Sequence, residues 1–88
     1  MEINGKVAIV TGGSSGIGAA SVRLLAARGM KVLVADINEE KGNAIAKEVG
    51  GAFAKVDVTS TDQITDAIDM ARSMGEVWAL VNSAGFGW

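Results

Sequence analysis

The sequence predicts an α/β fold: a doubly wound parallel sheet with strands in the order 3-2-1-4 and helices on both faces. Three observations predict it. Short β-type runs alternate with helical patterns as β-α-β-α-β-α-β, an order that favours parallel strands joined by right-handed helical crossovers. The run at 7–10 (Val-Ala-Ile-Val) is apolar at every position, as strands covered on both faces are, and 77–81 (Val-Trp-Ala-Leu-Val) is equally apolar but would form an open sheet edge. A glycine-rich turn follows the first run directly and opens a helical pattern. In a sheet of this order, ligands sit at the carboxyl ends of strands one and four, where the winding reverses.

Each element has its own signals. Residues 7–10 form the first strand, and 16–28 the first helix. Ile17, Ala20, Leu24 and Ala27 fall at spacings of three and four, which predicts that they form its buried face, and Gly29 stops it. Residues 31–35 form strand two, with Asp36 at its carboxyl end. Asn38 is a good N-cap for a helix running to Glu48 or Val49, with Glu39 and Glu40 favourably placed in its first turn. Gly50 and Gly51 end it. Residues 52–56 form strand three, ending at Asp57. Ser60 and Gln63 have capping-box spacing, and Ile64, Ala67, Ile68, Ala71 and Met74 make a continuous apolar stripe on the helix that follows. Gly75 stops that helix, 77–81 form strand four, and Asn82, Ser83, Ala84 and Gly85 make the turn after it.

Composition bounds the possibilities. The 88 residues suffice for one small domain, and a chain of this size buries only about 60% of its unfolded surface. Apolar residues make up 49% and charged residues 20%, which separates the chain from disordered sequences. The net charge is −2 with Lys and Arg scattered singly, so no basic stripe points to nucleic acid. Without cysteine or histidine, disulfides and thiolate or imidazole metal sites are excluded, and no metal site is expected. The amino terminus lacks a secretory signal pattern, and no apolar run approaches the ~20 residues that span a bilayer. The expectation is a soluble cytoplasmic protein without membrane or nucleic-acid partners.

The turn Thr11-Gly12-Gly13-Ser14-Ser15-Gly16-Ile17-Gly18 carries the chemistry. A phosphate needs backbone N–H groups aimed at it and no side chain in the way. Gly12 can turn sharply, Gly16 lets a pyrophosphate approach the backbone, and Gly18 lets the helix pack close to the sheet. The helix N-terminus adds unpaired N–H groups and positive potential, and Ser14 and Ser15 offer hydroxyl donors. A generic strand-to-helix turn is the bland alternative; the flanking strand and helix favour the phosphate. A Walker-type loop is excluded because no Lys-Ser or Lys-Thr pair follows.

Asp36 lies 18 residues beyond Gly18, where an acid accepts hydrogen bonds from the adenosine ribose hydroxyls and repels a 2′-phosphate. Its neighbours Ile37 and Asn38 bring no cation. The expected cofactor is therefore NAD rather than NADP. Asp57 can accept from the exocyclic amine of adenine beside the apolar edge of Val58, although Asp57 also reads as the start of a turn. Asn82, Ser83, Ala84 and Gly85 are small enough for the backbone to pass under a ribose, and the Asn82 amide can bridge strand ends.

Together these motifs resemble the short-chain dehydrogenase/reductase family. The Thr-Gly-X-X-X-Gly-Ile-Gly turn, the Asp after strand two, the Asp-Val after strand three and the Asn-X-Ala-Gly after strand four occur in order across essentially the whole chain. Ser83 departs from the second Asn usual in the family. That residue and the Gly-Gly-X-Ser-Gly segment look like the hydroxyacyl-CoA and hydroxysteroid dehydrogenase branch. The resemblance implies a Rossmann-type fold. It implies that Ser15 and Ile17 line the pyrophosphate, Asp36 holds the ribose with Ile37 beside it, Asp57 and Val58 flank the adenine, and Asn82, Ser83, Ala84 and Gly85 support the adenosine-side ribose and the strand end. It implies hydride transfer between NAD and an alcohol or carbonyl substrate, in an enzyme that assembles as a homo-oligomer.

The family's catalysis rests on a Ser, a Tyr-X-X-X-Lys motif and a later Asn, and this chain contains no tyrosine. No catalytic residue is assigned within it. The chain is expected to be the N-terminal part of a single NAD-binding domain, incomplete at the strand-four edge and inactive alone, with Phe86 and Trp88 lacking a core. A truncated, non-catalytic dinucleotide-binding module is the alternative. Extended epimerase-like members are disfavoured, because their Gly-X-X-Gly-X-X-Gly spacing does not match.

Overall fold

In the computed structural model, which describes residues 3–14 and 16–83, the apolar runs form four strands. The elements are β1 (Val7–Thr11), α1 (Gly16–Ala27), β2 (Lys31–Asp36), α2 (Glu39–Val49), β3 (Ala52–Lys55), α3 (Thr61–Met74) and β4 (Val77–Asn82). All pair in parallel in the order β3-β2-β1-β4, as the sequence predicts. β1, β2 and β4 each run one residue further than expected, because Thr11 pairs with both Ala35 and Asn82, and Asp36 pairs with Lys55. β3 stops one residue early, although the Val56 N–H still reaches the Asp36 carbonyl at 3.0 Å.

Alternation along the central strands divides the core into two layers. Val7, Ile9, Leu33 and Ala35 face α3, where Ala67 and Ala71 are buried with Ile64, Ile68 and Met74 beside them. Val10, Val32 and Val34 face α1 and α2. This double burial is why the inner strands are apolar at every position. The stripe expected on α3 is the one that packs.

On α1 the structure corrects the expected face. Ile17 and Leu24 are 75% and 56% exposed, and Ala20 and Ala27 are exposed as well. The buried face is Gly18, Ala19 and Val22, with Leu25 and Ala26 against the same layer. Both faces of α1 are apolar, so periodicity alone does not choose between them. Close approach does: a Cβ on Gly18 would overlap the Gly12 carbonyl, so the small residues face the sheet.

The helix ends follow local chemistry. Asn38 caps α2, its Oδ1 accepting the Lys41 N–H at 3.0 Å, and left-handed Gly50 closes it. Ser60 caps α3 by accepting the Gln63 N–H at 3.3 Å. The reciprocal half of the expected capping box does not form. The Ser60 N–H already donates to the Asp57 carbonyl, and Gln63 Oε1 instead accepts the Asp57 N–H at 2.7 Å. Gln63 thereby fixes the turn that carries Asp57.

β4 lies at a sheet edge and shifts register against β1 after Val77, leaving Trp78 without a Cα partner. Trp78 and Leu80 are 40% and 61% exposed, as expected for an apolar strand at an open edge. Phe86 and Trp88 lie outside the described residues. Among the described residues no helix is long and apolar enough to cross a membrane.

The corrected face of α1 is testable by truncation. Val22→Ala removes a fully buried side chain and is expected to cost roughly 2 kcal/mol. Leu24→Ala, on the exposed face, is expected to stay within about 0.5 kcal/mol. Urea unfolding of the two variants checks this, and equal losses would contradict the assignment.

Candidate functional site

The site begins where β1 and β2 end side by side. The chain leaves β1 at Gly12 in the left-handed region, φ 67°, and its N–H bonds to the Ala35 carbonyl at 2.8 Å. The turn is thus fastened to β2. Two residues on, Ser14 donates to Asp36 Oδ2 twice, through its N–H at 3.0 Å and its hydroxyl at 2.6 Å. The Asn38 N–H donates to Asp36 Oδ1 at 2.9 Å. Burial pushes the Asp36 carboxyl up, but the donors on Asn38, Ser14 and Ile37 together outweigh it and hold the group below the usual carboxylate range.

A cleft of about 210 Å³ opens beside this carboxylate, lined by Gly12, Asp36, Ile37, Val56, Asp57 and Val58 among others. It brings together three stretches that the sequence singled out separately: the turn after β1 and the two acidic strand ends. Ile37 and Val58 are 62% and 40% exposed and present apolar surface at the rim. Asp57 Oδ1 accepts from the Thr59 hydroxyl at 2.7 Å and its N–H at 2.9 Å, and those bonds hold its carboxyl low. Asp57 therefore shapes its own turn while bordering the cleft. Asp36 and Asp57 are the charged residues lining this space.

Gly16 opens α1 at φ 56°, with nothing within 4 Å of where a Cβ would stand. Ile17 lies exposed beside it. The left-handed backbone and the open approach suit a phosphate held on main-chain N–H groups. Gly18 lies under the turn and borders Ser83.

The end of β4 is stitched to β1. The Thr11 hydroxyl donates to Asn82 Oδ1 at 2.8 Å, the Ser83 N–H donates to the Thr11 carbonyl at 3.1 Å, and the Ser83 hydroxyl bonds the same carbonyl. Asn82 and Ser83 thus join strand ends, with the Ser83 side chain directed at backbone. Ser15, Ala84 and Gly85 lie outside the described residues.

The Ser14 hydroxyl, expected as a phosphate donor, is bonded to Asp36. Thr11 and Asn38, not singled out as site residues, hold Asn82 and Asp36 in place. Thr11 carries a sequence signal, as the residue that opens the turn motif. The Asn38 contact is a backbone N–H that residue identity does not encode.

The fold is of the Rossmann type, and comparison with known proteins gives its family. The short chain dehydrogenase family model matches residues 6–88. The chain belongs to the short-chain dehydrogenase/reductase family. A 3-alpha-(or 20-beta)-hydroxysteroid dehydrogenase of Mycobacterium bovis is 45% identical over 84 residues, covering 92% of this chain and 32% of the relative. The crystal structure of 3-hydroxyacyl-CoA dehydrogenase type-2 from Mycobacterium avium is 42% identical with a TM-score of 0.87, covering 92% of this chain and 33% of that one. A crystal structure of ribose-5-phosphate isomerase from Brucella melitensis 16M is 40% identical with the same TM-score of 0.87, covering 96% and 33%. The chain spans about a third of the length of the curated relatives it matches. The relatives include oxidoreductases of the family, and members of the family act on small molecules.

The low Asp36 pKa has a consequence in acid. An unfolded Asp titrates near 3.9; in the fold this group titrates lower. Its stabilisation is therefore complete above the unfolded value and is lost as pH falls through the folded one. Asp36→Asn is expected to lower the melting temperature at neutral pH and to flatten its fall below about pH 4. Asp57, shifted in the same direction, leaves some slope. Melting curves across that range check this, and an unaltered acid slope would contradict it.

Proposed function

We propose that this chain binds NAD(H) at the cleft between the ends of β1, β2 and β3, as the cofactor-binding part of an oxidoreductase. The parent enzyme moves hydride between NAD and an alcohol or carbonyl substrate. The observation that carries the cofactor assignment is Asp36: an ionised carboxylate at the end of β2, fixed by donors on both its oxygens and bordering the cleft. A ribose diol offers the donors that such a group accepts. A 2′-phosphate would bring a further anion to a space already lined by Asp36 and Asp57. Two unit charges ~4 Å apart differ by about 4 kcal/mol at an effective dielectric of 20, which after salt screening supports a preference of two to three decades. Arg23 and Lys41 border a separate groove beside Ser14, and Arg23 is paired there with Glu48 at 2.6 and 3.1 Å.

The residues fit the cofactor through the chemistry of this donor set and the open approach over Gly16. NAD, when bound, supplies the hydride chemistry. In this reading Gly12, Gly16 and Gly18 with Ser15 and Ile17 take the pyrophosphate side. Asp36 and Ile37 take the adenosine ribose, and Asp57 and Val58 flank the adenine. Asn82, Ser83, Ala84 and Gly85 support the adenosine-side ribose and the strand end. The chain has no tyrosine, so the family's Tyr-X-X-X-Lys acid–base group is not among these residues. They bind and orient the cofactor, and the chain alone binds without turnover. The names of the hydroxysteroid and hydroxyacyl-CoA relatives support a hydroxyl/carbonyl substrate for the whole enzyme, which we take to be a cytoplasmic homo-oligomer.

Calorimetric titration tests the cofactor assignment. NADH is expected to bind at least one hundredfold more tightly than NADPH. Asp36→Ala is expected to reduce that ratio to within about tenfold. An unchanged ratio in the variant would remove Asp36 from the discriminating role.

A further inference from the structure

We propose that the Ser14 hydroxyl is a specificity-determining positioning group. It locks the Asp36 carboxylate in one orientation and so turns an acid at a strand end into a strict discriminator between a ribose hydroxyl and a ribose phosphate. The inference rests on the NAD site proposed above and concerns how that site rejects the phosphorylated cofactor.

The geometry carries it. The carboxylate is gripped from two segments: the turn after β1 supplies two donors to Oδ2, and the segment before α2 supplies one to Oδ1. Donors on both oxygens, from two separate segments, resist rotation about its last bond. The two Ser14 donors differ in kind. The N–H bond depends only on where the backbone runs and would survive replacement of the side chain. The hydroxyl bond, at 2.6 Å, is a short bond to an ionised acceptor, the stronger class. Its partner lies 22 positions away in sequence, so it joins two elements.

Discrimination follows from fixing the group. A half-exposed carboxylate that is free to turn can swing away from an approaching phosphate and relieve the repulsion. One held at both oxygens cannot. The bonds from Ser14 and Asn38 fix the orientation of the group, and an ionised carboxylate only accepts, so a ribose hydroxyl can donate to it while a phosphate oxygen is opposed. The benefit for NAD is pre-organisation, because the group need not be ordered on binding. The larger effect is on NADP, because the escape route is closed.

Ser14→Val and Ser14→Thr test this as a matched pair, since Val and Thr have nearly the same shape and only Thr keeps the hydroxyl. NADH and NADPH affinities are measured by titration on the wild-type chain and both variants, with melting curves to register any cost to the fold. The expected result is that Thr retains the wild-type NADH-over-NADPH ratio. In Val the ratio falls about tenfold, mainly through tighter NADPH binding. A Val variant with the wild-type ratio would overturn the proposal. So would equal loss of the ratio in both variants, because shape and not the hydroxyl would then be the cause. Failure of the wild-type chain to bind NADH would overturn the NAD site itself and this inference with it. Wild-type discrimination that survives in Ser14→Val overturns only the role of Ser14.

Discussion

The cleft at the carboxyl end of this sheet depends on one carboxylate being held between two segments. Asp36 ends β2, yet its donors come from the turn after β1 and from the entry to α2. The Gly12 N–H adds a backbone link from the same turn to Ala35. The glycine-rich turn is therefore shaped by its neighbour strand as well as by its own helix. Had Asp36 pointed into solvent, the turn would keep its glycines but lose the partner that sets the position of Ser14. The cleft would then lose its ordered wall.

A second constraint, on distance, works beneath the first. Gly18 allows α1 to come down onto the Gly12 carbonyl, and Ser83 reaches the same region from β4. With Thr11 bonded to Asn82, the ends of β4, β1 and β2 become one connected rim. The opposite end of the sheet is organised differently. Lys6 pairs with Glu76 at 3.0 Å and lies 6.0 Å from the Trp78 ring centroid, and Glu76 also accepts from the Trp78 indole N–H. Glu76 is exposed and exposed pairs are worth little. That end carries the register shift of β4 at Trp78, whereas the carboxyl end carries the cleft.

The strand order was legible because inner strands between two helical layers need apolar residues at every position, and residues 7–10 and 32–35 satisfy that without ambiguity. The α3 stripe was legible because the other face of that helix is polar. α1 was not, since Ile17 and Leu24 offer as good a helical face as Val22 and Leu25, and only the approach permitted by Gly18 decides between them. Asp36 was legible from its distance to the glycines. Its clamp was not: Ser14 is as reasonable a phosphate donor in sequence as it is an aspartate donor in space. The Gln63 side chain likewise answers to Asp57, six residues back, because the Ser60 N–H that it would have bonded was already satisfied.

The central claim is that the dinucleotide lies across the ends of β1, β2 and β3. Amide chemical-shift mapping of the isotope-labelled chain during NADH titration tests it most directly. Shifts are expected at Gly12, Ser14, Gly16, Asp36, Ile37, Asp57 and Val58, with the amides of Lys6, Glu76 and Trp78 at the far end unmoved. Shifts centred instead on the apolar recess between α3 and β4, at Ile64, Ile68 and Leu80, with the glycine turn and Asp36 silent, would contradict it.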